Sequence, residues 1–135
     1  MKLFLDIDGV LLTKRGSLAE GAEAFLLWAV ENHKPYWIST RTRDGTHRGA
    51  LRAFHGKLDP QTIQAVRPAR WDTLKTEALP LGSRNWVWID DEILHTEQAI
   101  LIAGCALDRF VQVNIDKDPC VLIELPKMSI FFNEV

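Results

Sequence analysis

The sequence predicts an α/β domain built on a parallel sheet, and three observations carry that prediction. Short apolar runs end in polar or charged residues: Leu3-Phe4-Leu5 in Asp6, Tyr36-Trp37-Ile38 in Ser39, and Asn85-Trp86-Val87-Trp88-Ile89 in Asp90. Continuous apolar runs of this kind suit strands covered on both faces. Between the first two runs lies a stretch of helical periodicity, and strand–helix–strand is the mark of parallel pairing. The chain of 135 residues is the length of one ordinary domain, so residues 1–135 are expected to share one core.

Composition narrows the class. Hydrophobic residues make up 47% and charged residues 25%, close to the average for folded soluble domains, which argues against disorder. A net charge of -2 gives no overall attraction to nucleic acid or membrane, so any such partner must be recognised by a local patch. Cys105 and Cys120 have no metal-like spacing and are expected to be reduced, as in a cytoplasmic protein. The first strand begins at residue 3, which leaves no room for a signal peptide, and no apolar run is long enough to span a bilayer.

In chain order, Leu3–Leu5 is the first strand, followed by a polar turn over Thr13–Gly16. Ser17-Leu18-Ala19-Glu20 fits a capping box, and a helix is expected from there to about Asn32, with Ala22, Phe25, Leu26, Ala29 and Val30 on its inner face. Pro35 closes that helix and opens the second strand, Tyr36–Ile38. Thr46–His55 reads as a short helix with Ala50, Leu51 and Phe54 inward, and Thr62–Val66 as a third strand. Trp71, Leu74, Ala78 and Leu79 mark another helix, with Lys75 beside the stripe. Asn85–Ile89 is the next strand, Ile93–Ala103 a helix stopped by Gly104, and Phe110–Ile115 the last strand. Cys120–Phe132 fits either a closing helix broken by Pro126 or an edge strand.

The chemistry gathers at strand ends. Side chains alternate along a strand, so Asp6 and Asp8 can point the same way with Ile7 turned inward. Two carboxylates so close repel unless a cation or a shared proton lies between them, and a hard cation such as Mg²⁺ suits oxygen ligands. Gly9 permits backbone angles that other residues avoid. A strand ending in a capped acidic turn is the other reading of this stretch. His33, His47, His55 and His95 follow no ligand spacing, and the five tryptophans are expected mostly in the core.

The order of these features resembles the haloacid dehalogenase superfamily. Leu3 to Val10 matches its first motif, an apolar strand leading into Asp-x-Asp-Gly-Val; Tyr36-Trp37-Ile38-Ser39 matches its second. Lys75 matches the helical lysine of the third motif, and Trp86 to Asp91 the acidic pair of the fourth. Receiver domains of two-component signalling use similar residue types, but there the lysine comes last; here it precedes the final acidic pair. The resemblance implies a three-layer, Rossmann-like sheet with helices on both faces. It also implies a nucleophilic Asp6, a general acid and base in Asp8, and phosphoryl oxygens held by Lys75 and by Ser39 or the adjacent Thr40, with Ser39 preferred. Mg²⁺ would be held by the Asp6 carboxylate, the Asp8 backbone carbonyl and Asp90, with Asp91 orienting the metal's surroundings.

Too little chain separates Asp8 from Ser39, or Ser39 from Lys75, to fold a cap domain. Uncapped relatives include phosphatases of phosphoproteins, of nucleic-acid 3′ ends and of some sugar phosphates. The expectation is therefore a Mg²⁺-dependent hydrolase of phosphate monoesters, possessing an aspartyl-phosphate intermediate. Two alternatives stand beside it. One is a nucleic-acid 3′-end phosphatase using Arg41, Arg43, Arg48, Arg52 and Lys57, which face one acid, Asp44; Arg48 and Arg52 sit four apart on one helix face. The other is a binding or regulatory module that keeps the site idle.

Overall fold

The computed structural model describes residues 1–132. Five strands run β1 (Lys2–Leu5), β2 (Lys34–Trp37), β3 (Arg67–Pro68), β4 (Trp86–Asp90) and β5 (Phe110–Gln112). All pair in parallel, in the spatial order β3-β2-β1-β4-β5. The chain thus builds outward from β1 on one side, then crosses over and builds outward on the other. That reversal places the crevice for a ligand at the carboxyl ends of β1 and β4.

Helices cover both faces, as the sequence predicts. Alternate residues of each strand go to opposite sides. Leu3, Leu5, Trp37, Val87 and Ile89 pack with Phe25, Leu26 and Ala29 of α1 (Ala22–Asn32). The same face holds Ala50 of α2 (Arg48–Ala53), Ile63 of α3 (Pro60–Gln64) and Leu122 of α5 (Val121–Glu124). On the other face Phe4, Trp86 and Trp88 meet Leu101 of α4 (His95–Ala103), with Trp71 and Leu79. Trp37, Trp86 and Trp88 are fully buried, and each indole N–H finds an acceptor: Ile63 O, Ser83 O and Asp90 Oδ2.

Several expected elements differ, each for a local reason. Helix α1 begins at Ala22 rather than at Ser17, because Leu18 bridges to Leu12 and Ala19 N bonds Leu11 O. The segment after β1 is thereby folded back on itself before the helix can start. Pro35 lies inside β2, opposite Leu3, rather than opening it. Lys34 donates to Met1, just before β1, and Ile38 to Leu5 at its end, so the Pro35 nitrogen faces the other side, where β3 begins only opposite Tyr36. No donor is missed there.

Thr62–Val66 is not a strand: α3 occupies Pro60–Gln64, capped by the Asp59 carboxylate on Gln61 N with proline at its first position. The third strand is Arg67–Pro68 instead. The helix expected around Trp71–Leu79 is a single 3₁₀ turn, Lys75–Ala78, ahead of Pro80. Helix α2 is shorter than Thr46–His55, and β5 ends at Gln112 rather than Ile115. Within the described residues the tail is helical, α5 followed by 3₁₀ turns at Leu125–Lys127 and Ser129–Phe131. Both cysteines are free and exposed. No described helix is long and apolar enough to cross a membrane.

Candidate active site

Asp6 follows the last residue of β1, and Asp90 ends β4 beside it; both are buried. The sheet brings the two carboxylates together because Leu5 pairs with Ile89, and Asp6 N donates to Ile89 O at 3.1 Å. Lys75 reaches in from its 3₁₀ turn. Its Nζ lies 2.7 Å from Asp90 Oδ2 and 3.4 Å from Asp6 Oδ1. Asp90 accepts from four donors on its two oxygens: Trp88 Nε1 and Lys75 Nζ on Oδ2, and the Asp91 and Glu92 amides on Oδ1. Its orientation is therefore over-determined.

Gly9 fixes the place of a third acid, Asp91. Its φ of 80° is left-handed, and a Cβ there would stand 2.2 Å from Asp91 Oδ2. The Asp91 carboxylate thus rests directly on the Gly9 backbone, which only glycine allows. Carboxylate oxygens of Asp6, Asp90 and Asp91 all lie within 4.8 Å of one another.

This crowding shifts protons. Burial pushes the Asp90 carboxyl up to about 7, and the neighbouring Asp6 adds to it, against the pull of Lys75. Partial desolvation, then Asp90, carries Asp91 to about 6. Burial also raises Asp6, with Lys75 opposing. For Lys75 burial favours the neutral amine, but Asp6 and Asp90 together outweigh it and raise its pKa. Three carboxylates against one ammonium offer oxygen donors of the kind hard cations take, so Asp6, Asp90 and Asp91 could together hold a metal ion. The carboxylate cluster differs from the expected ligand set by including Asp91 in place of an outer role.

The site opens to a cavity of about 320 Å³ whose walls include Asp6, Asp8, Thr40, Trp71, Lys75 and Asp91. Of the two hydroxyls expected at the end of the second strand, Thr40 is exposed and lines this cavity. Ser39 is fully buried, and its Oγ accepts the Arg41 amide at 3.1 Å, capping the 3₁₀ turn Thr40–Thr42. The preference for Ser39 therefore gives way to Thr40 as the hydroxyl that faces the cavity. Asp8 does not join the carboxylate cluster. Both of its oxygens are taken by Arg41, Nε to Oδ2 at 2.8 Å and Nη2 to Oδ1 at 2.9 Å.

Two contributors escaped the sequence reading. One is the pairing of Arg41 with Asp8: Arg41 was read only as part of a basic stretch, and nothing local joins residues so far apart in sequence. Glu97 is the other, buried on α4, with Oε2 on Lys75 N at 2.9 Å and Oε1 on Leu94 N at 3.1 Å. Its signal was legible: Glu97 stands three residues after the Leu94 that precedes the helix, where a glutamate turns back to cap.

An open parallel α/β sheet with an acid–lysine cluster at its switch point is the class that fold and site define. No family model, curated protein or solved structure significantly matches the chain.

Proposed function

We propose that the protein is a Mg²⁺-dependent phosphomonoesterase of the haloacid dehalogenase type. The observation that carries this reading is the placement of Asp6: a buried carboxylate at the end of the central strand, 3.4 Å from Lys75 Nζ, facing the cavity beside Asp90. An aspartate so placed can act as a nucleophile toward phosphorus.

The chemistry divides among the chain's own residues. An Asp6 oxygen attacks phosphorus, the bond to the leaving oxygen breaks, and Asp8 supplies the proton that this oxygen takes up. Water then attacks the aspartyl-phosphate, Asp8 accepts its proton, the phosphorus–Asp6 bond breaks, and inorganic phosphate leaves. Lys75 and the Thr40 hydroxyl stand where they can hold the phosphoryl oxygens. Asp6, Asp90 and Asp91 would hold Mg²⁺, which when bound supplies charge neutralisation between carboxylates and phosphate. Segment 39–75 forms short helices and the edge strand of the same sheet, so the cavity stays open to large substrates.

The test is turnover of p-nitrophenyl phosphate and a phosphate-ester panel with Mg²⁺, by wild type and Asp6→Asn. Hydrolysis by wild type and its loss in a folded Asp6→Asn protein are expected. Equal turnover by the two proteins sinks the mechanism.

A further inference from the structure

A second concavity, of about 510 Å³, adjoins the candidate active site. Thr40 and Trp71 are walls of both, so a ligand can pass from one to the other without leaving the surface. Of its five other lining residues three are arginines, Arg41, Arg43 and Arg70.

This groove is built rather than incidental. The Arg43 guanidinium lies 5.4 Å from the centre of the Trp71 ring, and the Trp71 amide donates to Arg43 O at 3.2 Å. Trp71 is itself pinned by its indole N–H to Ser39 O at 3.2 Å. Stacking on an aromatic face holds an arginine in place with its donors outward. The stem of Arg70 packs against Gly45, where an added Cβ would stand 3.3 Å from Arg70 Cβ.

Two acids also line the groove, Asp44 and Asp72. Asp44 is folded onto its own turn, with Oδ1 accepting from Thr46 N and Oγ1 at 3.0 and 2.9 Å. Nearby, Glu77 has its oxygens on the amides of Asp72, Thr73 and Leu74. Among the described residues Arg43 and Arg70 form no salt bridge, and Arg41 forms its only one with Asp8. Arginines lining a concavity, two of them in no salt bridge, offer forks that match phosphate oxygens. Arg48 and Arg52, the pair suggested by helical spacing, do not line it.

We propose that this groove is a second phosphate subsite. The substrate is then a phosphate monoester whose leaving group carries another phosphate, as in a nucleoside 3′,5′-bisphosphate or the 3′-phosphorylated end of an oligonucleotide. The proposal rests on the phosphatase reading and names its substrate class. It also gives Arg41 a role. While Arg41 holds both Asp8 oxygens, it competes with a leaving group for them. A phosphate in the groove offers Arg41 another partner and releases Asp8, so the monoester that fills the groove is also the one that frees the acid. Arg41 is in this sense a specificity-determining residue.

Thymidine 3′,5′-bisphosphate and thymidine 3′-monophosphate differ only by the second phosphate, and they are the probes. Calorimetry on Asp6→Asn protein with Mg²⁺ should give at least tenfold tighter binding of the bisphosphate, and wild type a similar ratio of kcat/KM. In the Arg43→Ala/Arg70→Ala protein, verified as folded by circular dichroism, both ratios should fall toward one. A hexathymidylate 3′-phosphate serves as the second arm: whichever of it and the bisphosphate has the higher kcat/KM identifies the source of the same chemistry. Equal binding and equal kcat/KM of the mono- and bisphosphate overturn the subsite, as does a phosphopeptide that outperforms both nucleotides. Tighter bisphosphate binding, lost in the double variant but without hydrolysis of any ester, defeats the phosphatase reading and leaves the subsite standing.

Discussion

The buried carboxylate of Glu97 accepts the backbone N–H of Lys75 at 2.9 Å, tying helix α4 to the turn that carries the site's lysine. Its other oxygen accepts the Leu94 amide at 3.1 Å, so one side chain satisfies two donors from separate elements. Glu97→Ala leaves both amides without that acceptor, and a loss of about 2–4 kcal/mol in urea-unfolding free energy is expected. Glu97→Gln keeps one acceptor oxygen and should fall between the two. Equal stability of Ala and Gln variants would show that the bonds, rather than packing, matter little.

Protonation of the site makes the metal-free protein sensitive to pH. The Asp90 carboxyl is raised from 3.8 to about 7 in the folded chain, so between those values the folded state binds more protons than the unfolded one. Stability is fully present below the unfolded value and is lost as pH rises through the folded one. Asp91, raised to about 6, acts in the same direction. In chelator the melting temperature should therefore fall from pH 5 to pH 8, Asp90 alone contributing at most about 1.4 kcal/mol per pH unit. Asp90→Asn should flatten the slope; an unchanged slope would remove Asp90 as its source.

Mg²⁺ should reverse that loss. A cation among Asp6, Asp90 and Asp91 binds the folded chain and relieves its repulsion, so melting temperature at pH 8 should rise with Mg²⁺ concentration. Asp90→Asn should abolish most of the rise. A shift of the same size in that variant would place the ion elsewhere.

Gly9→Ala probes the contact between the Gly9 backbone and the Asp91 carboxylate. The substitution combines a left-handed φ of 80° with a Cβ 2.2 Å from Asp91 Oδ2, so Asp91 must move. The strain should lower stability by about 1–3 kcal/mol. Displacing Asp91 should also weaken the Mg²⁺-dependent rise in melting temperature. A variant with a full Mg²⁺ response would show that Asp91 has no part in holding the ion.

How far the sequence could be read depended on the range of the interactions involved. The strands β1, β2 and β4 were legible because their central residues are covered on both faces and are therefore apolar. So were Asp6 and Asp90, which sit at strand ends, whereas Lys75, on a 3₁₀ turn, was singled out by the order of the motifs. Thr62–Val66 misled because β-branched residues lie inside α3, while the Asp59-Pro60 start signal beside them outweighed their preference. The Trp71–Leu79 stripe looked helical, but Pro80 and the Glu77 oxygens on the Asp72–Leu74 amides leave room for one turn only. Thr40 over Ser39, and Arg41 on Asp8, depend on how the chain turns after β2, which no local pattern encodes.

The strand order has a last consequence, for where the molecule opens. The outermost strands are two and three residues long, Arg67–Pro68 and Phe110–Gln112, whereas β1 is bonded along its length on both sides. Breathing motions that peel the sheet from its rims therefore reach Asp6 last. In hydrogen–deuterium exchange the amides of Leu3–Asp6 should be among the slowest, exchanging only when the whole domain unfolds, while the rim strands exchange through local excursions. Asp6 thus sits on the part of the chain least able to wander, and the arginine groove, beside the rim strand Arg67–Pro68, on a part that can give way.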